Sequence, residues 1–299
     1  MKKIVITGSN GLLGQTLTNL LLEENEKYKV IGFSRGLNRS GRNDFEFVSI
    51  DITDKDLLFE ELNKYKPDVI VNTAAMTNVD ACEENKAACD VLNIETVKYL
   101  KEYSEINNTH LVHISTDFIF DGKDGPYKET DAPNPLSYYG LSKLKSENIL
   151  TTSKIDFTIL RTILVYGKVY DMTRNNIVLW VKKSLEEKKE ITIVNDQFRM
   201  PTYVNDLALA CRIAIDKKSI GVFNISSNKL LSIYEIAQQV AEVFELDKNL
   251  IKPISTKALN QKALRPPVTG FDLTKTNAEL NFYPESFKED LQRFKEKLA

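Results

Sequence analysis

The stretch that most narrows the choice of fold is residues 2–25, KKIVITGSNGLLGQTLTNLLLEEN. A β-branched run up to Thr7 meets three glycines, Gly8, Gly11 and Gly14. A segment follows that places Leu13, Leu17, Leu20 and Leu21 on one helical face. A strand that turns through glycines straight into a helix opens a βαβ unit. The turn, with Asn10, Leu12 and Leu13 between its glycines, lets the backbone approach a pyrophosphate, and the helix start offers free N–H groups and a partial positive charge. Gly14 lets the helix pack closely on the strand. A tight turn that holds no ligand would use the same glycines, so the rest of the chain has to decide.

The alternation continues. Strands are expected at 29–33, 45–50, 68–74 and 110–115, with another beginning the segment 156–167. Helices are expected at 54–65 (Thr53 as cap), at roughly 89–106 and at 137–150. Strands that recur with helices between them predict an α/β fold, a doubly wound parallel sheet covered on both faces. Beyond residue 167 the pattern loosens. Helices are expected at 174–187, 203–217, 232–245 and 286–297, strands at 191–194 and 221–226, and a loop at 257–270. Ser232 with Glu235, and Ser286 with Glu289, read as capping boxes. The expected organisation is a dinucleotide-binding domain over 1–166, to which 201–226 returns, and a smaller C-terminal α/β substrate lobe over 167–299 that leans on the sheet.

Composition removes several classes of function. The 299 residues are 42% hydrophobic and 27% charged, with a formal charge of −2 and no block of one sign. Nothing there attracts nucleic acid or an acidic membrane. No apolar run reaches the ~18 residues of a membrane span. The short apolar run after Met1 ends in the glycine turn and reads as a strand, not a targeting segment. Cys82, Cys89 and Cys211 are odd in number and match no zinc or redox spacing, so no metal site is expected and a reducing cytoplasm is the simplest setting. Cys82 and Cys89 read as small packing residues on helical segments.

The second strand ends in GFSRGLNRSGR. Ser34 and Arg35 stand where an NAD site carries an acid for the ribose diol, and a guanidinium suits a 2′-phosphate instead. NADP is therefore expected, with NADPH favoured over NADH. Arg39 and Arg42 read as a solvated basic loop. Asp51 and Ile52, at the end of the third strand, suit an adenine amino group and face. Ala74, Ala75 and Met76 let a ribose pass close to the backbone.

The strand HLVHIS runs into TDFIFDG, which puts Ser115, Thr116 and Asp117 at the C-terminal end of the sheet, where such folds bind ligands. Some twenty residues later, SYYGLSK sets two tyrosines before a lysine. Tyr139 and Lys143 are four apart and share a helical face. An ammonium near a phenol favours the phenolate and lowers its pKa from about 10. A phenol so tuned can give a proton to a carbonyl that is receiving hydride. Thr116 can hydrogen-bond that carbonyl, and Lys143 can also hold the nicotinamide ribose. Tyr138 has Ser142 at its i+4 position, points about 100° away, and reads as a packing residue.

At these residues the chain resembles the extended short-chain dehydrogenase/reductase superfamily. HISTDFIFDG, GPYKETDAPNPLSYYGLSKLKSE and VNDQFRMPTYVNDLA are similar to the dTDP-4-dehydrorhamnose reductase family within it, and NTAAMTNVDACE (72–83) and Asn93 fit the same pattern. The likeness runs along nearly the whole chain. It implies a Rossmann-type domain with a C-terminal sugar-nucleotide lobe, and reduction of a nucleoside-diphosphate 4-keto-6-deoxy sugar. It assigns Thr116, Tyr139 and Lys143 as the catalytic trio, places Asn93 with the cofactor residues, and puts Asp117 at the substrate. The related 4,6-dehydratases carry Thr-Asp-Glu at this strand end. Here Phe118 replaces the glutamate, so dehydration lacks its base. Arg199 and Arg265 are candidates for diphosphate contacts, with a surface salt bridge as the alternative for each. Leu164 stands where the reductase pattern has a tryptophan packed on the sugar, and Trp180, the sole tryptophan, reads as packing. The departure at Leu164 keeps a second reading open. The chain also resembles the methionine adenosyltransferase beta subunit around FRMPTYV and ALRPP, which implies a non-catalytic NADP-binding regulator. The sugar, the stereochemistry at C4 and the oligomeric state stay open, a homodimer among the options.

Overall fold

The computed structural model describes residues 1–172, 175–259 and 262–298. Seven parallel strands form the central sheet: β1 (Lys2–Thr7), β2 (Tyr28–Ser34), β3 (Glu46–Ser49), β4 (Val69–Asn72), β5 (His110–Thr116), β6 (Phe157–Thr162) and β7 (Gly221–Ile225). Their order across the sheet is β7-β6-β5-β4-β1-β2-β3. The chain winds outward from β1 to β3, then starts again at β4 on the other side. The reversal leaves a crevice at the C-terminal ends of β1 and β4, the topological switch point of a doubly wound sheet. This is the Rossmann-type architecture expected.

Side-chain alternation sorts the core into two layers. Ile4 and Ile6 of β1 belong to the cluster that takes in Leu13, Leu17 and Leu21 of helix α1 (Leu12–Leu22). Val5, between them, belongs to the opposite cluster, with Leu58 and Leu62 of α2 (Lys55–Tyr65) and Val97 and Leu100 of α3 (Thr96–Asn107). Helix α4 (Tyr138–Thr151) covers the same face, with Leu150 in that layer. Both faces are thus covered, as a parallel sheet requires.

The C-terminal lobe holds α5 (Ile177–Glu186), α7 (Ile233–Val243) and α8 (Phe287–Leu298), while α6 (Val204–Lys217) packs on α1 before the chain re-enters the sheet as β7. Val181 of α5, Val240 of α7 and Phe294 of α8 lie in the same buried cluster as Ile4 and Leu17. The lobe therefore shares its core with one face of the sheet. Both expected capping boxes are present: Ser232 and Glu235 exchange bonds at the start of α7, and Ser286 and Glu289 do so before α8.

Three local expectations change. The cap of α2 is Asp54, whose carboxylate accepts from the Leu57 N–H at 3.1 Å, while Thr53 donates its hydroxyl to Asp51. The helix expected at roughly 89–106 starts earlier, at Lys86, and passes through a wider turn over Val91–Glu95 before α3, and a separate short helix, Val79–Glu84, precedes it. Asn78 and Asn85 cap the two short helices by accepting a backbone N–H each, which sets starts that hydrophobic spacing alone does not mark. Within the segment read as a loop, Val268–Thr269 pairs in parallel with Phe198–Arg199. Residues 260–261 of that segment, and residue 174 at the start of the helix expected at 174–187, lie outside the described residues.

Candidate active site

A cleft of about 1260 Å³ opens over the strand ends. That exceeds the roughly 300–1,000 Å³ of a single small-molecule pocket, so there is room for two ligands. Gly8, Asn10, Gly11, Leu12 and Leu13 line one end of it. Gly8 sits at φ +69°, and a Cβ there would meet the Ala74 nitrogen and Thr73 Oγ1 at 2.9 Å. The N-cap of α1, Gly11, has no side chain to accept a bond from the first turn, so those N–H groups remain free for an anion. A backbone cradle against a bare helix start fits a pyrophosphate. Gly14 is off the cleft wall. It lies against the backbone of Gly8 and Ser9 and serves helix–strand packing.

Asn10 ties the turn to the basic loop after β2. It donates to the carbonyls of Arg35 and Leu37 and accepts from the Arg39 N–H at 2.9 Å. Ser34, Arg35 and Arg39 all line the cleft, and the Arg35 side chain is 77% exposed, 4.0 Å from Asp51. Arg39 therefore joins Arg35 as a cation beside the turn. The sequence pattern assigns it to solvent because loop length hides which side it faces. Arg42 is turned away and pairs with Asp44. Asp51, Ile52, Ala74, Ala75 and Met76 continue the same wall. Asn93 is buried behind it. Its amide accepts from the Met76 N–H at 2.8 Å and donates to the Met76 carbonyl at 3.1 Å, fixing the loop that does line the cleft.

Thr116, Tyr139 and Lys143 converge in the middle of this cleft. Ser137 caps α4 by accepting from the Gly140 N–H at 3.2 Å. Gly140 lets the helix press onto the strand end, since a Cβ there would sit 2.9 Å from the Phe118 carbonyl carbon and 3.1 Å from Pro135. Tyr139 is thereby brought beside Thr116 on the cleft wall. The ring of Phe118 packs edge-on against Tyr139, with centroids 5.8 Å apart. Cys82 and Cys89 back the tyrosine as buried neighbours. Further along α4, Glu147 accepts from Arg161 of β6 at 2.7 Å, a buried pair that pins the helix to the sheet.

The electrostatics differ from expectation at one point. Burial pushes the Tyr139 phenol well above its ordinary value, with the Thr116 hydroxyl acting against the rise. The expected lowering by Lys143 is not what governs the phenol, because burial dominates. Lys143 is 2% exposed and its Nζ lies 2.9 Å from His113 Nε2. Burial lowers Lys143 to about 8. Tyr138 does not simply pack: its hydroxyl donates to the Asp90 carboxylate at 2.8 Å on the outer side of the helix.

The lobe closes the far side. Asp117 and Arg199 both line the cleft and are both buried, Arg199 Nε lying 3.7 Å from Asp117 Oδ2. Asp117 also accepts from the hydroxyls of Thr116 and Thr269. Burial raises its pKa, and the Arg199 charge opposes the rise. The Arg199 guanidinium donates to the carbonyls of Pro266 at 2.8 Å and Phe198 at 2.7 Å. Arg265, also on the cleft, is paired with Asp80 at 2.7 Å. Both arginines are thus engaged by the protein itself. Leu164 lines the cleft at φ +42°, and Gln197 and Asn176, which no sequence motif singles out, join it there. Trp180 is 39% exposed on α5 and off the cleft.

Known proteins match this arrangement along its whole length. The family model described as RmlD substrate binding domain matches residues 1–299. A dTDP-4-dehydrorhamnose reductase of Aggregatibacter actinomycetemcomitans is 32% identical, with 99% of each chain covered. A methionine adenosyltransferase 2 subunit beta of Danio rerio is 30% identical, covering 89% of this chain and 81% of that protein. Among solved structures, a Bacillus anthracis dTDP-4-dehydrorhamnose reductase in complex with NADP superposes with a TM-score of 0.87 at 28% identity, over 99% of this chain and 100% of that one.

Proposed function

The chain belongs to the RmlD substrate binding domain family and is an NADP-dependent oxidoreductase of the extended short-chain type, and on that footing we propose that it reduces the 4-keto group of a nucleoside-diphosphate 4-keto-6-deoxy sugar, with Tyr139 as the proton donor. The observation that carries this reading is the meeting of Thr116, Tyr139 and Lys143 in the cleft that the glycine turn also lines. Residues 1–166 with 201–226 form the cofactor half and the remainder the substrate lobe. The absence, among the described residues, of any helix long and apolar enough to cross a membrane accords with a cytoplasmic setting.

The turn of Gly8 to Leu13 would hold the pyrophosphate, Arg35 with Arg39 the 2′-phosphate, Asp51 and Ile52 the adenine, and Lys143 the nicotinamide ribose. NADPH supplies the hydride when bound. Thr116, by turning its hydroxyl from Asp117, would orient the sugar carbonyl by a hydrogen bond to its oxygen. Tyr139 holds its proton tightly, as a buried phenol does, until the carbonyl oxygen gains negative charge and takes it. The positive charge of Lys143 favours the phenolate left behind. Phe118 excludes water from the phenol's flank and offers no base, which argues against dehydration. Asp117, held by Thr269 and Arg199, lies on the substrate side. Arg199 and Arg265 are within the same wall and would meet a diphosphate only by exchanging carbonyl or Asp80 partners.

The test is loss of nicotinamide absorbance when the protein is mixed with NADPH and a dTDP-4-keto-6-deoxy sugar. Turnover is expected, and Tyr139→Phe should lower kcat by about 10²–10⁴-fold while Tyr138→Phe does so far less. Equal losses would defeat the assignment. A second reading, a non-catalytic NADP-binding regulator, is favoured by Leu164 on the cleft wall and by the likeness to the methionine adenosyltransferase 2 beta subunits. Tight NADP binding with no turnover across several such sugars would select it.

A further inference from the structure

Three polar residues cross the sheet in register beneath α4. Thr7 of β1 is the register partner of Asn72 of β4, and Asn72 is the partner of His113 of β5. Each lies two residues on from a member of the α4-side core layer, namely Val5, Ile70 and Leu111, so all three project to that face. They are buried and joined in a row. Thr7 Oγ1 lies 2.7 Å from Asn72 Oδ1, Asn72 Nδ2 3.1 Å from His113 Nδ1, and His113 Nε2 2.9 Å from Lys143 Nζ and 3.1 Å from Ser146 Oγ. The row runs from the residue before Gly8 to the lysine of the catalytic helix.

We propose that His113 is a positioning residue for Lys143: its neutral imidazole accepts a hydrogen bond from the ε-ammonium through Nε2, in a tautomer that Asn72 and Thr7 are able to accommodate. The inference rests on the reductase reading for its consequence in turnover. Among the described residues the Lys143 Nζ makes one hydrogen bond, the one to His113. A lysine 2% exposed needs a partner to stay charged. Burial and the adjacent cation hold His113 well below its ordinary pKa, so it is an acceptor and not a second cation. Nε2 can accept only if Nδ1 carries the proton. Ser146, whose Oγ is 3.1 Å from Nε2, keeps its own hydroxyl proton on the Lys143 carbonyl at 2.7 Å or shares it with Nε2. Nδ1–H then needs an acceptor. Asn72 supplies its oxygen after a half-turn of the amide, which preserves its shape, and its NH₂ then donates to Thr7 Oγ1. A hydroxyl at the end of the row accepts as readily as it donates. An apolar residue at position 72 would leave Nδ1–H without this acceptor.

The other charges that face Lys143 are Glu147 on its own helix and Cys89 on the helix Lys86–Asp90, both of which raise its pKa. Glu147 is committed to Arg161. Removing the His113 acceptor destabilises the ammonium, so the Lys143 midpoint falls. A step that needs the charged lysine is then lost at lower pH as pH rises.

Lysine-selective isotope labelling and NMR read this on the whole chain without turnover. The Lys143 signal, identified by its loss in Lys143→Met, should titrate near 8. His113→Leu should lower that midpoint by about one unit, and His113→Gln, whose amide oxygen can replace Nε2, should restore most of it. In the kinetic arm His113→Leu should move the alkaline limb of kcat down by the same interval, with KM little changed. An unchanged midpoint in a folded His113→Leu chain overturns the proposal, as does an equal fall in the Gln variant. Should the Leu variant not fold, His113→Asn, whose shorter amide falls short of Nζ, takes its place. An unchanged midpoint there, or a fall in the Gln variant as large as in the Asn variant, overturns the proposal in the same way. Absence of turnover in the parent protein strikes the reductase reading alone.

Discussion

The two walls of the cleft are built from different materials. The wall at the ends of β1, β2 and β4 presents backbone N–H groups, glycines and alanines, with Arg35 largely free in solvent. The lobe wall presents Arg199 and Asp117, buried together and tied to Thr269 and to the carbonyls of Pro266 and Phe198, and Arg265, tied to Asp80. A ligand can settle on the first wall without breaking protein contacts. On the second it has to share or exchange them. On the proposed reading the cofactor side is therefore preformed, and the selectivity of the substrate side depends on how its charges are already engaged.

Substitutions can break this contrast in order of size. Arg199→Ala leaves Asp117 buried without its cation, and should cost about 3–5 kcal/mol of stability in a denaturant melt. Adding Asp117→Asn to that variant should recover a large part. If Arg199→Ala melts like the parent, the lobe wall is not held by this pair. Gly8→Ala strains a left-handed position and drives a Cβ into Ala74, so NADP binding by calorimetry should weaken by about 10- to 100-fold. Arg35→Ala should cost roughly tenfold in NADPH-over-NADH preference with no change in melting temperature, and retained preference would shift the phosphate contact to Arg39. Arg265→Ala breaks a half-exposed pair and should change stability by less than about 1 kcal/mol. Its effect, if any, belongs in KM for the sugar nucleotide.

The same contrast explains what could be read from sequence. The cofactor wall comes from contiguous motifs at strand ends, so Gly8 to Leu13, Ser34–Arg35 and Ala74–Met76 were legible. That Tyr139 and not Tyr138 shares the cleft with Lys143 was legible too, because helical spacing is local. The sign of the Tyr139 shift was not, since it depends on how deeply the fold buries the phenol. His113 itself gave no signal. Its link to Lys143 depends on the register of three strands that are far apart in the chain. The partners of Arg199 and Arg265, at residues 266, 117 and 80, were hidden for the same reason. Asn85 is a local feature that hydrophobic spacing overrides, and the helix boundary expected there was misplaced.

The shared core has a consequence for how such a protein changes its substrate. Val181, Val240 and Phe294 of the lobe are buried with Ile4 and Leu17 of the sheet. The lobe is therefore not a cartridge that recombination could swap for one of another specificity. A transplanted lobe would bring foreign side chains into the sheet's own interior. New sugar preference has to arise by replacing residues at the cleft surface, such as Leu164, Gln197 and Asn176, one or a few at a time, with the interior left as it is.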